Sequence, residues 1–178
     1  MKKLFLAIWI AAISVTSYSQ KGHNQIGIGA DVGIPIGDFG DAFKTGFGGY
    51  AKGLFGIGEA GQITFTTGYL AFKAKDLGSD ESLTASIIPL MLGYRHNFSG
   101  FYAEPQAGYN IFGAKAKFLG QSESDSEGGF GYAIGIGYVV SNVDLGVRYQ
   151  GGKPSGDGDD WSFIGIHVGY NFTLGGSK

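Results

Sequence analysis

The chain has no cysteine, only four prolines in 178 residues, and no apolar run long enough to cross a bilayer as a helix. Without cysteine there can be no disulfide framework, no thiol metal site and no lipidated N-terminal cysteine. The longest apolar run, Leu4 to Ile13, falls short of the roughly 20 residues that a spanning helix needs. No later stretch carries a convincing helical period, so regular structure has to be sought in strands. Charge is also scarce: 13 basic and 15 acidic residues give a formal net charge of −2. A nucleic-acid partner would require a basic face, which this balance does not supply.

What is present is glycine, 34 residues of it, far above the usual level of about 7%. Its placement is regular. In Phe130-Gly131-Tyr132-Ala133-Ile134-Gly135-Ile136-Gly137-Tyr138-Val139-Val140 the large apolar residues fall on one parity and almost only Gly and Ala on the other. Period two puts those sets on opposite faces of a strand. Similar alternation predicts strands at Gln25 to Gly37, Thr45 to Ile57, Gln62 to Phe72, Thr84 to Arg95, Phe101 to Phe112, Gly129 to Val140, Val143 to Gln150 and Ser162 to Leu174. The gaps between them are alternately long and short, with polar tracts such as Leu119 to Gly128 and Gly151 to Asp160 among the long ones.

At the N-terminus, Lys2 and Lys3, the apolar run and Ser17-Tyr18-Ser19 have the form of an export signal, leaving a mature chain from Gln20. The expected organisation is a signal over residues 1–19 and one barrel domain over residues 20–178. An even strand number with alternating loop lengths is the pattern of a small outer-membrane barrel whose long connections face outward. The apolar parity sorts into two aromatic levels. Phe55, Tyr94, Phe101, Tyr138, Tyr170 and Phe172 fall at the periplasmic one, and Phe47, Tyr69, Tyr109, Phe130 and Tyr149 at the outer one. A soluble barrel with its apolar face inward fits less well. Its water-facing side would carry many Lys and Glu, whereas the second parity here is Gly, Thr, Gln, Asn and Tyr with few charges. Pro89 and Pro105 lie inside strands that have no free edge, which predicts local bulges.

The inward charges are Asp31, Lys52, Arg95, Glu104, Asp144, Arg148 and His167. Eight strands leave an interior just wide enough for side chains, so these residues are expected to pair as a packed polar plug, with Tyr102, Gln106, Asn110 and Gln150 adding neutral groups. Asp31 and His167 could suggest acid-base chemistry, but no serine stands at that height to serve as nucleophile, and no enzyme activity is expected. Gly56-Ile57-Gly58-Glu59-Ala60-Gly61 matches a dinucleotide fingerprint only as a string, since a strand rather than a helix should follow it. No cofactor or resident metal is implied. Eleven of the 15 acidic residues fall in the expected outer loops. Of these, Asp157, Asp159 and Asp160 are candidates to meet lipopolysaccharide phosphates through divalent cations.

Ile87-Ile88-Pro89-Leu90-Met91-Leu92-Gly93-Tyr94, Phe101-Tyr102-Ala103-Glu104-Pro105-Gln106-Ala107-Gly108-Tyr109 and the ending Val168-Gly169-Tyr170-Asn171-Phe172 resemble the small eight-stranded outer-membrane β-barrel proteins of Gram-negative bacteria, the OmpX-like and OmpA-like group. The resemblance covers essentially all of the mature chain. It implies an all-β, up-and-down transmembrane barrel, monomeric, in contact with outer-membrane lipid and lipopolysaccharide. The aromatic ending resembles the signal read by the barrel-assembly machinery, although six residues follow Phe172. The expected role is structural or surface-interacting, the alternative being a narrow channel or transporter for small solutes.

Overall fold

A computed structural model of the chain describes residues 24–75, 81–118, 121–155 and 160–174. The expected export signal lies outside them. The strands are β1 (Gln25–Ile36), β2 (Gly46–Ile57), β3 (Gly61–Lys73), β4 (Glu81–Phe98), β5 (Phe101–Phe118), β6 (Gln121–Val140), β7 (Val143–Pro154) and β8 (Trp161–Thr173). Each pairs antiparallel with its sequence neighbour, and β8 returns to β1 over Gln25↔Thr173 to Ile36↔Ser162, closing the barrel. Closure removes every free edge from the wall, as a chain surrounded by lipid requires.

The turns at one end are short. Ser99 and Gly100 join β4 to β5 with φ of 54° and 103°, the left-handed pair that lets a two-residue hairpin follow the twist of its strands. Ser141, at φ 56°, opens the equally short β6–β7 turn. At this end the strands finish level, so differences in strand length appear at the other. β1, β2 and β7 have 12 residues each, close to the roughly 9–11 that cross a bilayer when tilted. With 18, 18 and 20 residues, β4, β5 and β6 rise beyond them by about 20 Å.

This extension corrects the expected loop at Leu119 to Gly128. Gln121 to Gly128 form ladder with Phe118 to Ile111 of β5. Serine alternates there with Glu123, Asp125 and Glu127, without large apolar residues, so the wall pattern ends although the pairing continues. β7 meets β6 only from Gly129 onward, and Glu123, Asp125 and Glu127 lie on the stretch beyond. Charges on such an edge discourage pairing with a second chain. Likewise, Gly151 to Pro154, expected within a loop, continue β7. The connection from β1 to β2 holds a helix that the sequence pattern does not announce, α1 (Gly37–Ala42), too short for any period to register.

The prolines also differ from expectation. The β3–β4 ladder omits Pro89 and Ile88 but resumes in the same register, and the β4–β5 ladder does the same at Glu104 and Pro105. No residue is inserted, so there is no bulge. An antiparallel residue directs its N–H and C=O toward one neighbour only. Each proline therefore interrupts one ladder and leaves the other whole, at Pro89↔Asn110 and Pro105↔Ile134.

The outward parity is exposed as the alternation implies, with Phe130, Ile134 and Ile136 at 61%, 61% and 67%. Phe101 and Tyr138, register partners near the short turns, have ring centroids 4.6 Å apart. The small parity faces inward because its partners are large. A Cβ at Gly131 would lie 1.5 Å from the Asn110 amide, and one at Gly137 would lie 2.3 Å from the Tyr102 ring. Gly137→Leu is thus expected to destabilise the barrel by about 1–3 kcal/mol through overpacking, whereas Ile136→Leu, on the lipid side, should be close to neutral. Urea midpoints in detergent micelles measure the difference, and equal midpoints would refute the inward assignment.

Candidate functional site

The barrel interior is built in two layers. Toward the short turns and mid-height, strand parity directs Asp31 of β1, Lys52 of β2, Arg95 of β4, Glu104 of β5, Asp144 and Arg148 of β7 and His167 of β8 inward. A charge removed from water is tolerated only with partners, and each of these has them. Glu104 Oε2 accepts from Lys52 Nζ at 2.9 Å and from Arg95 Nε and Nη2 at 3.0 and 2.8 Å. Its Oε1 accepts from Thr64 at 2.7 Å and Gln106 at 2.6 Å. Arg95 Nη1 donates to Asp144 at 2.8 Å, so one guanidinium joins two carboxylates from different strands. Its carbon sits 3.6 Å from the Tyr102 ring centroid, and the Tyr102 hydroxyl donates to Asp144 at 2.6 Å.

Register neighbours inside the barrel are not always the side chains that meet. Arg95 pairs with Glu104 across the β4–β5 turn. Asp31 and His167 are register partners, but their side chains part. Arg148 reaches Asp31 through both terminal nitrogens, Nη1 at 3.1 Å, while His167 Nε2 lies 3.1 Å from the Tyr102 hydroxyl and 3.5 Å from Asp144. Asp144 and Arg148 share the inward face of β7 without meeting each other. The cause is curvature: inside a narrow tube, long side chains reach across to the opposite wall as readily as along their own strand. Thr64 and Asn171, which also hold these carboxylates, carry no charge that would mark them in the sequence.

Above this network lies an apolar layer of Leu70, Phe72, Ile87, Trp161 and Phe163, with Phe39 of α1 packed on Phe72 at 5.0 Å between centroids. The sequence does hint at it. Tyr69-Leu70-Ala71-Phe72 places apolar residues on both parities at the outer end of β3, where alternation alone would leave the inner one polar. Between the layers is a cavity of about 30 Å³, bordered by Tyr50 and His167, with room for about two water molecules.

Of the three outer-loop candidates, Asp157 and Asp159 lie outside the described residues. Asp160 is exposed, 3.7 Å from an equally exposed Lys153. Among the described residues no three acidic or histidine side chains stand close enough to hold a metal ion. The Gly56 to Gly61 string spans the β2–β3 turn with a strand after it, which removes the helix N-terminus that a pyrophosphate would need.

Removing one partner from the network leaves a buried charge uncompensated. Arg95→Met is expected to cost about 3–5 kcal/mol of stability, and Lys153→Ala, at the exposed pair, less than about 0.5 kcal/mol. Urea titration in micelles compares them, and equal shifts would show that the network contributes no more than a surface pair.

Solved structures share the architecture. The Yersinia pestis attachment invasion locus protein Ail, crystallised with the heparin analogue sucrose octasulfate, aligns with a TM-score of 0.65 at 16% identity, covering 87% of this chain and 100% of its own. Neisserial surface protein A gives 0.56 at 20%, covering 85% and 97%, and the N-terminal β-barrel domain of Pseudomonas aeruginosa OprF gives 0.57 at 15%, covering 85% and 100%. At these identities the likeness establishes the fold alone. No curated protein sequence matches the chain significantly. The family model described as outer membrane protein beta-barrel domain matches residues 5–172, and the chain belongs to that family.

Proposed function

We propose that the protein is a non-enzymatic, monomeric outer-membrane barrel whose lumen is closed and whose role lies at the cell surface. The observation that carries this reading is the filled interior: three carboxylates and three cations paired across the tube, beneath a lid of Phe72, Trp161 and Phe163. A hydrated solute would have to displace both layers, breaking several ion pairs that no water replaces. Liposomes carrying the protein are expected to swell in small sugars no faster than empty ones, and planar bilayers to show no steady conductance. Sustained conductance would establish a channel instead.

The surface that would meet lipopolysaccharide differs from the acidic loop considered in the sequence. Lys44, Lys73 and Lys115 border one depression on the outward face, together with Tyr69, Thr84, Ser86, Ser124 and one carboxylate, Asp125. Tyr69 belongs to the outer aromatic level, so these lysines stand near headgroup height, where three cations against the single Asp125 carboxylate leave net positive charge for lipid phosphates. Added lipopolysaccharide should raise the temperature at which the folded gel band is lost, and Lys44→Gln/Lys73→Gln/Lys115→Gln should lose that increase. An unchanged increase would place the contact elsewhere.

A further inference from the structure

Above the apolar layer, a cleft of about 340 Å³ opens between α1 and the inner faces of β4, β5 and β6, a size usual for small-ligand sites. Aromatic rings from Phe39, Phe112 and Trp161 line it, with Phe112 and Trp161 at 4.9 Å between centroids. Its rim carries Asp38, Asp125, Glu127 and Asp160, and among the described residues no Lys, Arg or His lines it. Lys153 stands near Asp160 at 3.7 Å, and Asp125 accepts the Ser126 amide and also borders the neighbouring lysine depression, while Asp38 and Glu127 have no ion-pair partner among the described residues, which leaves the rim negative. Trp161 is only 6% exposed, and its indole N–H has no acceptor among the described residues.

These features select a ligand class. A bare divalent ion would need carboxylates gathered in a coordination shell, and among the described residues they do not gather in threes. A neutral apolar molecule would suit the rings and make no use of the rim. An anion would be repelled. Aromatic faces attract cations through their quadrupole, and dispersed carboxylates add a field of the same sense without demanding fixed geometry.

We propose that the outer mouth binds a small organic cation with an apolar body, an alkyl- or arylammonium, its carbon skeleton on Phe39, Phe112 and Trp161 and its charge toward Asp125 and Glu127. This rests on the surface-interaction reading only for the side of the membrane from which the ligand arrives.

The test uses the folded chain in nanodiscs of zwitterionic lipid, which leave both barrel ends accessible, with empty nanodiscs as the blank. Benzyltrimethylammonium is titrated by calorimetry, beside its neutral isostere neopentylbenzene and the anion benzenesulfonate. Saturable binding of the cation is expected, at least about tenfold tighter than the isostere, with none of the sulfonate and a shift of the Trp161 indole N–H resonance. Asp125→Asn/Glu127→Gln, both at exposed positions, should weaken the cation about fivefold to tenfold while heat-modifiable gel migration stays unchanged. Equal affinity for the isostere, indifference to the double substitution, or no saturable binding would each overturn the proposal. A conducting lumen would instead overturn the closed-barrel reading and leave the cleft standing.

Discussion

The guanidinium of Arg95 lies at the centre of the interior, and the rest of the lumen is arranged around what it requires. Buried at 1% exposure, it bridges Glu104 and Asp144 and rests on the Tyr102 ring. Glu104, with charge to spare, holds Lys52, and Asp144 takes Tyr102 and Asn171. Such a network follows from closing eight strands. The tube has little room for water yet is too wide for glycine alone, so polar side chains from different strands have to satisfy one another.

Small residues make that arrangement possible. β6 presents Gly131, Ala133, Gly135 and Gly137 to the lumen, and the space they free is taken by Asn110 and Tyr102 from β5. The same strand presents its large residues to lipid. One alternation therefore serves two environments: bulk outside, where the bilayer supplies apolar contact, and absence of bulk inside, where the neighbours are already large.

Beyond the membrane the constraint changes. β4, β5 and β6 continue after the apolar outward pattern has stopped, and their inner faces, with α1, frame a cleft whose floor is aromatic and whose rim is acidic. The apolar layer beneath separates the packed barrel interior from the outer mouth.

Strand number and the side facing lipid were legible in the sequence because period-two alternation reports them residue by residue, in stretches such as Phe130 to Val140, and a barrel was expected from the even strand number with alternating loop lengths. The inward direction of Asp31, Lys52, Arg95, Glu104, Asp144, Arg148 and His167 follows from the same parity. Which of them meet does not, because partners such as Arg148 and Asp31 lie 117 positions apart and are joined only by the curvature of the closed wall. The length of β6 escaped the pattern because pairing persists where no membrane imposes alternation. The intact register at Pro89 and Pro105 depends on which neighbour each missing N–H faces. Alternation is a local property, written along one strand at a time. Pairing, layering and the outer cleft belong to several strands at once, and only the closed tertiary structure brings those strands together.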